Sequence, residues 1–120
     1  MATVALTKDN FSTTVDSNDV VLIDFWAEWC GPCKRFGPIF EEASERHEDV
    51  TFAKVDTEDQ QELAGALEIT SIPTIMAFRA GYLVFRQAGL LQGSQLDDLI
   101  GQVKGIDVEE LKKQAAAQQK

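Results

Sequence analysis

The chain has 120 residues, of which 44% are hydrophobic and 26% charged, a composition typical of one ordinary globular domain. Twenty acidic residues against eleven basic ones give a net charge of −9, which argues against binding to nucleic acid or to an anionic membrane surface. No apolar stretch is long enough to span a membrane, no secretory signal is visible at the start, and two cysteines are too few for a disulfide-dense secreted scaffold.

The first predicted elements are a short strand, a short helix and a long apolar strand. Residues 4–6 are predicted to form the strand, and Thr7 to cap a helix that carries Phe11 and Val15 on one side. The run VVLIDFW at 20–26 is typical of a strand that helices cover on both faces of a parallel sheet.

A helix, a strand and a second helix are predicted next. A turn leads into a helix that extends to about residue 46 and that Pro38 is expected to kink. Residues 51–55 form another predicted strand. The acidic stretch 56–59 suits the start of a helix that ends near Leu67, because carboxylates favour the positive end of the helix dipole.

The chain then continues with a hairpin and an amphipathic helix. Residues 74–78 and 82–88 are predicted strands joined by a turn at Ala80-Gly81, and the helix that follows ends near Val103. This order of elements predicts an α/β fold in which a mixed, mainly buried sheet carries helices on both faces.

The end of the chain differs in composition from the rest. Residues 105–120 are rich in Ala, Gln, Lys and Glu and contain few apolar side chains that could be buried. We therefore expect a domain over residues 1–104 and a polar extension over residues 105–120 that is partly helical or frayed.

The strongest chemical signal is the segment Cys30-Gly31-Pro32-Cys33 at the predicted start of a helix. Two thiols at this spacing can close a disulfide within one turn and reopen it without disturbing the fold. The free N–H groups and the dipole of the helix start stabilise a thiolate, which is the nucleophilic form. Cys30, expected at the exposed end, is the predicted nucleophile, and Cys33, one turn inside, is predicted to resolve the mixed disulfide.

Two other interpretations of the cysteine pair stay open at this point. A purely structural disulfide is possible, although closing a four-residue loop stabilises a fold by only about 2 kcal/mol in the chain-entropy treatment. A zinc site needs two further ligands, and the sequence offers a single histidine, His47, and no second cysteine pair. We expect no metal.

Asp24 is the second candidate for chemistry, since it lies within the apolar run at 20–26. A carboxylate in a fully covered strand is desolvated, which raises its pKa and makes it a candidate proton carrier near neutral pH. A position on a wet face or edge is the alternative, and the closeness of Asp24 to Cys30 in the sequence favours a functional role. Lys54 is a candidate charge partner, although composition alone favours a solvated lysine.

The residues around the cysteine pair resemble those of the thioredoxin family. The segment DFWAEWCGPCK at 24–34 carries the resemblance, which extends to Pro38, FAKVD at 52–56, SIPT at 71–74 and Gly89. It covers about residues 4–104 in the expected order. The resemblance implies a thioredoxin fold, with a central mixed, mainly five-stranded β-sheet flanked by four helices in three layers.

The resemblance also implies a role for each site residue. Cys30 would be the nucleophile and Cys33 the buried resolving thiol, with Asp24 beneath Cys33 as proton acceptor through water and Lys54 near Asp24. The Ile72–Pro73 peptide would be cis and packed against the disulfide, so that the Ile72 backbone can pair with a client strand. The implied docking surface for clients consists of Trp29, Gly31, Pro32, Ile72, Pro73, Ala88, Gly89 and Leu90.

The activity that the resemblance implies is that of a protein-disulfide reductase. Electrons would pass by dithiol–disulfide exchange to client proteins with exposed disulfides, and thioredoxin reductase with NADPH would restore the dithiol. No bound cofactor is implied beyond the reversible Cys30–Cys33 disulfide, and we expect a cytoplasmic monomer. The alternatives are an oxidase or isomerase of the same fold, a glutathione-dependent enzyme, and a binding module whose partner uses the docking surface rather than the thiols.

Overall fold

A computed structural model describes residues 3–118 and contains the strands and helices in the predicted order. The elements are β1 (Thr3–Ala5), α1 (Phe11–Ser17), β2 (Val20–Trp26), α2 (Gly31–Arg46), β3 (Thr51–Asp56), α3 (Gln61–Ala66), β4 (Thr74–Arg79), β5 (Tyr82–Ala88), α4 (Gly93–Lys104) and α5 (Val108–Gln118). In the part of the chain just given, no helix is both long and apolar enough to cross a membrane.

The five strands form one mixed sheet in the order β1-β3-β2-β4-β5, which confirms the predicted sheet. β1, β3 and β2 are parallel, whereas β4 and β5 are antiparallel to their neighbours. The long apolar strand β2 lies at the centre, and Asp24 on it is the register partner of Lys54 on β3 and of Ile75 on β4.

Side chains of β2 alternate between two cores, one on each face of the sheet. Leu22 packs with buried residues of α2 and α4, among them Phe40 and Leu96. Ile23 packs instead with residues of the other two flanking helices, among them Val15 of α1. The four helices therefore cover the sheet in pairs, which confirms the three-layer architecture, and the alternation places Asp24 on the face that α2 and α4 cover.

Two helices begin later than predicted because side chains hold the preceding residues in turns. α1 begins at Phe11 with Asn10 as its N-cap residue, so Thr7 does not cap it. In the turn before the helix, Asn10 Oδ1 accepts the Thr7 N–H at 2.7 Å and Thr7 Oγ1 accepts the Asp9 N–H at 3.2 Å. The carboxylate of Asp56 likewise accepts two backbone N–H groups of the turn that follows it, so α3 begins only at Gln61. Asp and Asn side chains form such turns in competition with a helix.

The polar extension contains a fifth helix, α5, and Arg79 holds the connection between α4 and α5. Arg79 Nη1 donates to the carbonyl oxygens of Val103 at 2.7 Å, of Lys104 at 2.9 Å and of Ile106 at 3.1 Å. A cation thereby satisfies the free carbonyl groups at the end of α4, where the helix dipole favours positive charge.

Candidate active site

Cys30 and Cys33 form a disulfide at the start of α2, with their Cα atoms 5.2 Å apart. Cys30 is the N-cap residue, and its Sγ accepts the backbone N–H of Cys33 at 3.2 Å. Pro32 has no N–H, so the amide of Cys33 is the first-turn donor that faces this sulfur. A donor and a helix dipole in this arrangement favour negative charge on Cys30 Sγ when the disulfide is open.

Exposure does not distinguish the two cysteines, and the expectation that Cys30 lies at an exposed end is wrong. Cys30 is 4% exposed and Cys33 is 3% exposed. Trp26, Ala27 and Ile72 pack around the disulfide, and the Ile72 carbonyl oxygen lies 3.8 Å from Cys30 Sγ. The choice of Cys30 as nucleophile thus depends on its N-cap position.

The loop before β4 lies beside the disulfide. The Ile72–Pro73 peptide bond is cis, as the resemblance implies. The Pro73 carbonyl accepts the N–H of Gly89 at 2.8 Å, and Gly89 has a φ of 104°, a conformation that favours glycine. Within residues 3–118, neither the N–H nor the C=O of Ile72 pairs with another backbone group. Ile72 therefore lies beside the disulfide with no backbone partner among the described residues.

The predicted docking residues are brought to the end of the sheet at which the disulfide lies, but their exposure differs. Trp29 is 69% exposed, an unusual value for a large apolar side chain. Among the others, Gly31, Pro32, Ala88 and Gly89 are exposed, Ile72 and Leu90 are half-buried, and Pro73 is buried.

A groove of about 410 Å³ runs along one side of this surface, between Trp29, Ile72 and the residues of α3 and its flanking loops. Its lining also includes Glu58, Gln61 and Thr70, which are not among the predicted docking residues. These residues are polar and separated in the chain, so no sequence pattern marks them as one surface.

Asp24 is fully buried, and neither of its carboxylate oxygens has a hydrogen-bond partner within residues 3–118. Burial raises the pKa of Asp24 from its ordinary 3.8 to about 7, while the charge of Lys54 lowers this pKa and that of Glu41 raises it. The predicted desolvation is therefore confirmed, and a carboxyl group with such a pKa can both accept and release a proton near neutral pH.

The structure also places Lys54 beside Asp24. The two residues are register partners on neighbouring strands, and Lys54 Nζ lies 5.1 Å from the centre of the Trp26 ring, a cation–π contact. A Cβ atom built on Gly37 of α2 would lie 3.9 Å from the same Nζ. The second turn of α2 thus lies over the Asp24–Lys54 pair, one turn after Cys33.

No group of three or more His, Cys, Asp or Glu side chains within residues 3–118 has an arrangement that could hold a metal ion. The chemical groups at this end of the sheet are the disulfide, the buried carboxyl group and the lysine beside it. A pair of cysteines that opens and closes its disulfide can carry out thiol–disulfide exchange.

Comparisons with known proteins agree with this geometry. A model of the thioredoxin family matches residues 2–102. A Streptomyces coelicolor protein named "Putative thioredoxin 2" is 55% identical over 118 residues, which are 98% of this chain and 88% of that protein. A Mycobacterium tuberculosis thioredoxin is 47% identical over 90 residues, covering 73% of this chain and 78% of that protein. The solved structure of a mutant thioredoxin from Halobacterium salinarum superimposes with a TM-score of 0.81 at 33% identity, covering 88% of this chain and 93% of that one.

Proposed function

The chain belongs to the thioredoxin family, and from this premise we propose how its own residues carry out the reaction of a protein-disulfide reductase. The protein is an oxidoreductase that acts on disulfides through Cys30 and Cys33. The observation that supports this most directly is the disulfide at the start of α2, where Cys30 Sγ receives the N–H of Cys33.

The first proposed step is the attack of the Cys30 thiolate on a client disulfide. A bond forms between Cys30 Sγ and one client sulfur, and the other client sulfur leaves as a thiolate. The helix start and the N–H of Cys33 stabilise the attacking thiolate. The Cys30 thiolate therefore forms at a lower pH than the thiolate of a free cysteine does.

The second proposed step releases the client and uses Asp24 as the proton acceptor. Asp24 takes the proton of the Cys33 thiol through a water molecule, and the Cys33 thiolate attacks Cys30 Sγ. The Cys30–Cys33 disulfide forms, and the client sulfur that was bonded to Cys30 leaves as a thiolate and takes up a proton. Two electrons have then passed to the client. The burial of Asp24 supports this role because its pKa is near that of an effective acid–base group at neutral pH. Lys54 is proposed to favour the charged form of Asp24.

The client is proposed to dock as an extended segment against the Ile72 backbone. Apolar side chains of the client would then contact the docking surface of this protein, which consists of residues 29, 31–32, 72–73 and 88–90. The exposed Trp29 and the adjoining groove support this proposal. Backbone pairing is independent of side chains, so such a surface accepts clients of varied sequence.

Replacing Trp29 by alanine is expected to raise KM for a protein client about tenfold and to change kcat less, because an exposed aromatic residue of this kind contributes to binding. Steady-state reduction of a disulfide-containing protein measures both constants. Leu83→Ala is the matched control, since Leu83 is 48% exposed but lies at the opposite end of β5. Equal KM values for the two variants would contradict the proposed docking surface.

We propose that thioredoxin reductase, using NADPH, returns the disulfide to the dithiol, and that the protein works as a monomer in the cytoplasm. A pair that donates electrons must be kept reduced, which a reducing compartment allows. The experiment that tests the function is a coupled assay with this reductase and insulin as the client. NADPH should be consumed continuously only when both the chain and insulin are present, and a Cys30→Ser variant should not support consumption.

Residues 105–120 are proposed to be an extension outside the catalytic domain of residues 1–104. The family match ends at residue 102, and most side chains of α5 are exposed. α5 also lies at the start of β5, near Tyr82 and Leu83, whereas the disulfide lies at the other end of the sheet.

A further inference from the structure

We propose that Glu41, held in place by Thr3, is a positioning residue for the proton step whose negative charge opposes that of Lys54 beside Asp24. This inference rests on the proposed function of Asp24, and it assigns a role to a carboxylate outside the residues that exchange electrons or protons. Three features of the structure carry it: the spacing of residues on α2, a hydrogen bond to β1, and the set of charges around Asp24.

The spacing on α2 places Glu41 on the same side of the helix as the active-site cysteine. Cys33, Gly37 and Glu41 follow one another at intervals of four residues, so they form one stripe along the helix. The middle member, Gly37, lies over Lys54, because its Cβ position is 3.9 Å from Nζ. Glu41 is therefore one turn beyond the point at which α2 crosses the Asp24–Lys54 pair.

A hydrogen bond holds the carboxylate of Glu41 toward the sheet. Thr3 Oγ1 donates to Glu41 Oε1 at 2.8 Å, and both residues are half-buried. Thr3 is the register partner of Phe52 on β3, two residues before Lys54. Within residues 3–118, no Lys, Arg or His nitrogen lies within 4.0 Å of the Glu41 carboxylate, so no local ion pair neutralises it.

The charged groups that face Asp24 come from two elements and have opposite signs. Lys54 is on β3 and Glu41 is on α2, while the register partner of Asp24 on β4 is the apolar Ile75. Lys54 favours the carboxylate form of Asp24, and Glu41 favours the protonated form. Without Glu41, Asp24 would lose its proton at a lower pH.

The test is a titration of the Asp24 carboxyl group by carbon-13 NMR in the oxidised protein, where the cysteines do not titrate. Glu41→Gln removes the charge but keeps an oxygen that can accept the Thr3 hydroxyl. We expect the pKa of Asp24 to fall by about one half to one pH unit in this variant. Glu42→Gln is the matched control, because Glu42 is the adjacent residue, carries the same charge and is exposed. It should change this pKa by less than about 0.2, since water and salt screen an exposed charge.

An equal pKa of Asp24 in wild type and Glu41→Gln, or equal shifts in the Glu41 and Glu42 variants, would overturn the proposal. Thr3→Val gives a second measurement, because it frees the Glu41 carboxylate from its hydrogen bond. The pKa of Asp24 should then fall, but by less than in Glu41→Gln. The pH dependence of insulin reduction tests the proposed function separately. If the NMR shift occurs and the pH profile of reduction stays unchanged, Glu41 still tunes Asp24, and it is the role of Asp24 as proton acceptor that fails.

Discussion

Replacing Asp24 by asparagine is expected to raise the free energy of unfolding of the oxidised protein by about 4–5 kcal/mol at about pH 9, and to change it little at about pH 4. The reason is the cost of a charged carboxylate in a fully buried site with no hydrogen-bond partner among residues 3–118. Asparagine has nearly the shape of the protonated carboxyl group but never becomes charged.

The sign of this effect follows from the number of protons bound in each state. The carboxyl group titrates near 3.8 in the unfolded chain and at about 7 in the folded one. Between these values the folded protein holds a proton that the unfolded chain has released, so wild-type stability falls as the pH rises from about 4 to about 7 and then levels off. Each pKa unit corresponds to about 1.4 kcal/mol, which gives the expected magnitude.

Urea denaturation of the two oxidised proteins across this pH range measures the prediction. The stability curves should meet at low pH, diverge between about pH 4 and about pH 7, and keep a constant separation above that range. Parallel curves would show that Asp24 has an ordinary pKa, and they would remove the basis for its role as proton acceptor.

The same variant should reduce clients more slowly at neutral pH, by about tenfold or more, because the proton of Cys33 then has no acceptor.

Replacing Cys33 by serine is expected to trap the client as a covalent mixed disulfide, whereas replacing Cys30 by serine should lower the rate of reduction at least about a thousandfold. The first variant can form the bond between Cys30 Sγ and the client but lacks the thiol that breaks it. The second lacks the nucleophile itself. Mass spectrometry of the adduct with insulin, followed by peptide mapping, identifies the sulfur that carries the client.

These cysteine variants also separate the alternatives that the sequence leaves open. An adduct on Cys33 in the Cys30→Ser variant, with none on Cys30 in the Cys33→Ser variant, would reverse the assignment of the two roles. A double serine variant that keeps full biological activity would favour a binding module over a reductase, since no electrons could then pass.

Local patterns were enough to predict most of the architecture. The apolar run of β2 predicted a strand covered on both faces, and the structure buries all but the last of its residues. The two residues with positive φ at Ala80 and Gly81 form the turn that the sequence predicted between β4 and β5. In these segments the spacing of apolar residues and the turn chemistry lie within a few consecutive positions, so tertiary contacts are not needed to infer them.

Features that depend on residues far apart in the chain could not be predicted from local patterns. Ile72, which is 42 positions away, contributes to the burial of Cys30, and this contact is one that the sequence prediction of an exposed thiol could not include. The importance of Glu41 depends on a hydrogen bond from Thr3, 38 positions away, and on the place of α2 above the sheet. Neither contact leaves a local pattern in the sequence.

The reduction potential of the Cys30–Cys33 pair, measured at equilibrium against a defined thiol buffer, tests the central claim most directly. A reductase must hold its electrons at a low potential, and we expect a value near the figure of about −270 mV that is characteristic of thioredoxin. A value of about −180 to −120 mV, as in isomerases and strong oxidants of disulfide formation, would contradict the reductase function, because such a pair makes or rearranges disulfides instead of reducing them.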